Sequence, residues 1–322
     1  MLVWIGFIVF VIVALAFDLG VFNRTPHVIK TKEASIWSAI WFSVAVLFSG
    51  IVYLSFEHGW VSNPTHLTPT NAVIKYITGY LVELSLSVDN IFIIAVIFSS
   101  FAIPRKYQHE VLFYGVLGAI VFRALMIIFG VALINNFSWI IYVFGVFLIF
   151  TAIKMLFHKS EEFDPHKSVM FKWIKKFFPV THELSEDKFF IHKQGVRLAT
   201  PLFVALIIIE LTDVMFAVDS VPAILAITAD PFLVFTSNIL AVMGLRSMFF
   251  LISGVLDKFR FINYSLVVIL AFVGLKMILS HHVDFPEWLS LSVIVISLAG
   301  GILASLLIKD NQEEGAKLDS NS

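Results

Sequence analysis

Long apolar blocks separated by short polar joints set the pattern of this chain. Nine blocks reach or approach the roughly 20 residues that cross a bilayer as a helix. They lie at about 2–22, 35–56, 73–100, 111–134, 138–157, 200–228, 233–256, 262–280 and 288–308. The pattern predicts an all-α polytopic membrane protein with about nine transmembrane helices. Lys and Arg alternate across the joints. Arg24, Lys30 and Lys32 follow the first block, and none lies in Glu57 to Ala72. Arg105 and Lys106 come next, then none at Asn135 to Asn136. The long connection after block five is basic throughout, from Lys159 to Arg197, whereas Ala229 to Phe232 has no basic residue. Lys258 and Arg260 follow, then a joint without either, and finally Lys309 and Lys317. By the positive-inside rule the amino terminus lies outside and the carboxyl terminus in the cytoplasm.

Composition agrees with this reading and narrows the chemistry. The 322 residues are 59% hydrophobic and 14% charged, too apolar for the surface of a soluble protein of this length. With no cysteine, disulfides and thiolate metal sites are excluded. The first block lacks a basic leader and a small-residue cleavage site, and reads as a retained span rather than a signal peptide. Lys167 to Phe178 mixes Lys with Trp, Phe and Ile at near-helical spacing. It reads either as an amphipathic helix on the anionic inner leaflet or as an ordinary basic linker. The tail after Lys309 reads as disordered.

The polar residues inside the blocks repeat. SVDN at 87–90 aligns with AVDS at 217–220, which sets Glu83 opposite Asp213 and Asp89 opposite Asp219. Arg123 then matches Arg246, and Lys154 matches Lys276. Each repeat holds three spans, an odd number, so the second is inverted relative to the first, as in secondary transporters. The predicted divisions are 1–72 for two peripheral spans, 73–157 for the first three-helix repeat and 158–198 for a cytoplasmic basic loop. The second, inverted repeat covers 199–280, the ninth span 281–309 and the tail 310–322. Lys154 and Lys276 read as residues that snorkel to opposite membrane faces.

Glu83, Asp89, Glu210, Asp213 and Asp219 all fall inside spans. An ionised side chain at the bilayer centre costs roughly 2.5–3.5 kcal/mol, so these acids must be paired, protonated or bound to a cation. Arg123 and Arg246 compensate two of the five charges. Asn90 and Ser220, beside the two aligned Asp residues, add neutral oxygens. Simple ion pairing and a proton relay without metal both compete with a cation site. With no Cys, and with every His outside the spans or at their ends, the ligands are oxygens, which suits manganese, calcium or magnesium. Met215 reads as packing rather than as a sulfur ligand. His281 and His282 read as loop residues, and Asp18 as an interfacial acid outside the site. On a straight helix Glu210 and Asp219 point in nearly opposite directions. A kink or unwound turn at 218–222, prompted by Pro222, would re-aim Asp219.

The stretches VELSLSVDN and ELTDVMFAVDSVPAI resemble those of the TerC family of integral membrane proteins, closest to its Alx-type members. The similarity continues through YGVLGAIVFRALMI, FGVFLIFTAIKML and TSNILAVMGLRSM. The resemblance implies a multi-pass protein of the bacterial cytoplasmic membrane, related to the LysE superfamily of exporters. It implies manganese(II) as a transported ion and a link to tellurium resistance or alkaline-pH responses. It also carries the family's acidic residues onto Glu83, Asp89, Glu210, Asp213 and Asp219, with Asn90 and Ser220 beside them. The expected partners are a divalent cation, protons and the lipid bilayer, with secretion or stress-complex proteins as a further class and no nucleic acid. No nucleophile–base pair, phosphate loop or cofactor motif is present, so no enzymatic activity or catalytic cofactor is expected. The competing reading is a membrane scaffold that supplies metal to secreted enzymes or anchors a resistance complex.

Overall fold

The structure is a computed structural model that describes residues 2–22, 29–64, 66–137, 139–157, 171, 173, 174, 176, 178–181, 188–193, 196–253, 261–279, 283 and 285–307. The tail beyond 307, His281, His282, most of 158–187 and the side chain of Asp18 lie outside the described residues. Within them are nine helices: α1 Leu2–Phe22, α2 Thr31–Glu57, α3 Pro69–Ser100, α4 Arg105–Asn136, α5 Ile140–Phe157, α6 Pro201–Leu225, α7 Pro231–Ile252, α8 Ile262–Leu279 and α9 Glu287–Leu307. From α2 to α9, eight helices are long and apolar enough to cross a membrane. Each apolar block of the sequence is thus a helix, and the protein is an all-α polytopic membrane protein.

Several helix starts are written in the sequence. Pro69, Pro201 and Pro231 open α3, α6 and α7, where a missing N–H costs nothing. Thr68 accepts a bond from the Asn71 N–H at the start of α3. Asp230 caps α7, its Oδ1 accepting from the Phe232 and Leu233 N–H groups at 3.0 and 3.1 Å.

The central helices are α3, α6 and α7. α3 packs on α7, α4 on α6, and α5 on α8, while α2 covers α3 and α7 and α9 covers α8 and α3. Tyr76 anchors α3 to α2 by donating to the Ala45 carbonyl at 3.0 Å. Gly145 and Gly274 let α5 and α8 meet backbone to backbone. A Cβ at either position would sit 2.8–2.9 Å from the other's carbonyl oxygen.

Three expectations are corrected. First, α6 is helical without interruption through 218–222. Pro222 lies one turn from the helix end, so the Val218 carbonyl alone loses its donor. The last turn is held by Val221, Ile224 and Leu225 packed against Ile127 and Val131 of α4, over Gly130. Second, Lys276 does not snorkel. It is buried, donates to Ser290 Oγ at 2.9 Å and lies 3.5 Å from Glu287 Oε2, because α9 covers it and supplies a counter-charge. Lys75 joins the same group, 2.8 Å from Glu287 Oε1 and 2.8 Å from the Ile227 carbonyl. Lys154 is exposed.

Third, the basic connection is folded in part. β1 Phe190–Lys193 and β2 Val196–Ala199 form an antiparallel hairpin with Phe190 opposite Ala199. Phe190 stacks at 4.4 Å on Phe203 of α6, and the Arg197 guanidinium sits 4.1 Å over the Phe190 ring. Thr200 donates to the Lys188 carbonyl at 2.7 Å and ties the hairpin to the start of α6. In the segment read as an amphipathic helix, Phe171 and Ile174 are helical and buried against Ile97, Ile103, Tyr107, Leu202 and Phe249. At these positions the apolar face covers the protein's own helix ends rather than lipid.

The Asp230 cap yields a stability prediction. Burial pushes its carboxyl up from the ordinary value, while the Leu233 and Phe232 N–H groups and then Lys75 work against that shift. A carboxyl raised on folding carries an ionisation cost that is complete above its folded pKa and absent below its unfolded one. Asp230→Ala removes the cap and is expected to cost about 0.5–2 kcal/mol. Asp230→Asn keeps the accepting oxygen and removes the ionisation cost, so it is expected to stay near the parent and to flatten the pH dependence. Unfolding midpoints in detergent, measured across the acidic range, check both.

Candidate metal-ion site

The polar residues of the central helices converge on one guanidinium. Arg123 of α4 is buried and reaches both aligned acids of the repeat. Its Nη1 makes an ion pair with Glu83 Oε1 of α3. Its Nη2 and Nε hold the two oxygens of Asp213 on α6 at 3.0 and 3.2 Å, a two-pronged grip that only arginine provides. Asn90, two turns along α3 from Glu83, donates to Asp213 Oδ1 at 2.8 Å. Asn238 of α7 donates to Glu83 Oε2 at 2.9 Å and accepts from Arg123 Nη1 at 3.5 Å. Five buried side chains from four helices form one closed network. With both carboxylates ionised it carries one net negative charge.

The other acids stand around this network rather than in it. Asp219 faces α5, where Thr151 donates to its Oδ1 at 3.2 Å. Glu210 faces α4, its carboxyl lying on Gly118 where a Cβ would collide with it. The unbroken helix therefore carries Glu210 and Asp219 to different neighbours, as straight-helix geometry requires. Asp89 is half-buried beside Asn90, and Ser220 is fully buried. Arg246 lines a cleft with Trp37, Trp41 and Phe250, between α2 and α7. Met215 points outward, more than half exposed, and is no candidate ligand.

Buried oxygens remain for a hard cation. Glu210 Oε2, Asn90 Oδ1, Ser87 Oγ and Ser220 Oγ lack hydrogen-bond partners. Among the described residues no three His, Asp or Glu side chains are grouped closely enough to hold a metal ion. In this arrangement Glu83 and Asp213 are engaged by Arg123. Asn238 and Thr151 were not singled out in the sequence. Asn238 follows Thr236 and Ser237, which bond their own helix backbone, and nothing local sets it or Thr151 apart from such residues.

Comparison with known proteins bears on this arrangement. Residues 68–313 match the model of the family described as integral membrane protein TerC family. The chain belongs to the TerC family. A Myxococcus xanthus relative, uncharacterized membrane protein STKORF319, is 47% identical over 304 residues, covering 94% of this chain and 92% of its own. The Escherichia coli (strain K12) protein Alx, described as a candidate membrane-bound redox modulator, is 42% identical over 297 residues, covering 91% and 90%. A Rickettsia bellii membrane protein is 40% identical over 307 residues, covering 95% and 98%. No solved structure matches. The matched region contains every residue of the Arg123 network.

Removing Arg123 strands two buried carboxylates. Arg123→Met is expected to cost about 3–5 kcal/mol, the usual penalty for breaking a buried pair from one side. Adding Glu83→Gln and Asp213→Asn to the same chain is expected to recover most of it. Unfolding in mixed micelles measures both.

Proposed function

We propose that this TerC-family protein exports manganese(II) across the bacterial cytoplasmic membrane in exchange for protons. The observation that supports it is the charge balance around Arg123. One guanidinium pairs with two carboxylates and leaves one negative charge, three further acids lie on the same two helices, and unpartnered oxygens lie beside them. An all-oxygen donor set without thiol or imidazole matches manganese, calcium or magnesium, and the family resemblance favours manganese.

On this reading Asp89 and Asp219, which Arg123 does not engage, receive the ion with Asn90 and Ser220. Arg123 holds Glu83 and Asp213 in ion pairs until the ion competes for them. Glu210, matched to Tyr80 in the first repeat, serves as the proton carrier. Metal arriving from the cytoplasm displaces protons, and reprotonation from outside releases it. The two three-helix sets, α3–α5 and α6–α8, act as inverted halves. Their main pairings support that exchange: α3 with α7 maps onto α6 with α4, and α5 with α8 maps onto itself. The amino terminus lies outside, as the Lys and Arg alternation requires.

Proteoliposomes loaded with a metal-sensitive dye test the reading. Asp89→Asn and Asp219→Asn are each expected to lower manganese flux at least tenfold, while Met215→Leu leaves it unchanged. A lower pH on the cytoplasmic side should weaken apparent affinity, because protons and metal compete for the same oxygens. Full flux in both Asn variants would refute the mechanism.

A second reading rests on the description of the Alx relative. A modulator or scaffold would use the cytoplasmic 158–198 segment to hold partners, and this chain has no cysteine for thiol exchange. The hairpin and Phe171 are folded onto the helix ends, which leaves less of that segment free to dock. Deleting the segment separates the readings, since a transporter keeps its flux and a scaffold loses its partners.

A further inference from the structure

The charged group at the far end of the bundle has no part in ion binding as described so far. Lys75 of α3 reaches Glu287 at the start of α9 and the Ile227 carbonyl just beyond α6. Lys276 of α8 reaches the other oxygen of Glu287 and Ser290. Asp230, at the start of α7, lies close enough to Lys75 for the two charges to interact. Two lysines and two carboxylates thus balance. They draw together five helices at the end opposite the hairpin, which the basic-residue alternation assigns to the outside.

We propose that Lys75, Glu287 and Lys276 form the outer gate of the ion path, a latch that closes this end and opens to release the cation. The proposal rests on the transport reading and adds the residues that control exit.

Position is the first argument. Lys75 lies eight residues before Glu83 on α3, and Asp230 eight residues before Asn238 on α7. At 1.5 Å per residue both separations are about 12 Å, so the latch stands above the Arg123 network on two helices that pack together. A cation leaving Glu83 and Asp213 toward this end passes it.

Asymmetry is the second. The repeat matches Lys75 with Ala205, which is buried among Ile94, Phe98, Leu245 and Phe249 at the other end of the bundle. It matches Lys276 with Lys154, which is exposed. One end is closed by ion pairs and the other by apolar packing.

Solvent access is the third. The Glu287 side chain is 22% exposed and Lys75 13%, against 2% for Arg123 and 0% for Glu83. The partly exposed Lys75–Glu287 pair can separate at less cost than the Arg123 pairs, while buried Lys276 keeps its bond to Ser290.

The absence of native cysteine makes the test direct. Thr78→Cys places one thiol a turn inside Lys75, at a buried position. In right-side-out vesicles a membrane-impermeant maleimide is expected to label it slowly. Adding Glu287→Gln or Lys75→Met should raise the rate at least tenfold, and Lys75→Arg, which keeps the pair, should stay slow. An unchanged rate in both latch variants overturns the proposal. As a second arm, Lys75→Cys with Glu287→Cys is bridged by a short, reducible bifunctional thiol reagent, the native pair joining the two side chains at 2.8 Å. Manganese flux is expected to stop and to return on reduction, and full flux through the cross-linked chain overturns the gate. If the unmodified protein moves no manganese at all, the transport reading fails, and the labelling rates still decide the latch.

Discussion

A guanidinium buried inside a membrane protein has few stable surroundings, and those of Arg123 fix much else. In hydrocarbon it has no water to share its charge, so each prong must meet an acceptor. Glu83 and Asp213 supply these from α3 and α6, while Asn90 and Asn238 take up most of the remaining polar atoms. The bonds set how far α3, α4, α6 and α7 slide past one another. A one-residue shift of any helix turns its side chain by about 100° and breaks the set. Apolar contacts between these helices tolerate such slips, because lipid and Leu are nearly equivalent partners. The network supplies the register that apolar surface does not.

The same constraint shapes the chemistry. On the proposed ion-binding reading, a site whose acids were all free would be too costly to hold empty, and one whose acids were all paired would admit no ion. Arg123 divides them. Two acids are paired with it in the centre, and Asp89, Asp219 and Glu210 stand outside its reach. Unbroken α6 takes part in this division by sending Glu210 to Gly118 and Asp219 to Thr151.

What the sequence made legible follows from which interactions are local. Helix existence was legible because a bilayer-length apolar block is a signal of composition, and Pro69, Pro201 and Pro231 mark their own starts. The equivalence of Glu83 and Asp213 was legible as an internal alignment, and Arg123 only as one of two cations set against five acids. Asn238 was not, because a lone Asn on α7 gains meaning only when Glu83 lies opposite. The unbroken turn at Pro222 was missed because its support comes from Val221 and Leu225 against α4, a contact no local rule encodes. The hairpin at 190–199 was hidden by its brevity and by basic residues that read equally well as topology signals. Lys276 was misread for a related reason, since snorkelling is the default only where no neighbouring helix brings a carboxylate.

Lys276 and Arg123 show how one kind of interaction serves two purposes at different depths. Both are cations held by carboxylates from other helices. Arg123 sits where water does not reach, so its bonds must be complete, and breaking them from one side leaves a buried charge. Lys276 and Lys75 share a carboxylate that touches solvent, so their bonds have an alternative in hydration. Depth therefore decides which ion pairs hold the fold and which can open. On the proposed transport reading, an inverted pair of halves needs both kinds, a fixed centre to pivot on and a rim that yields.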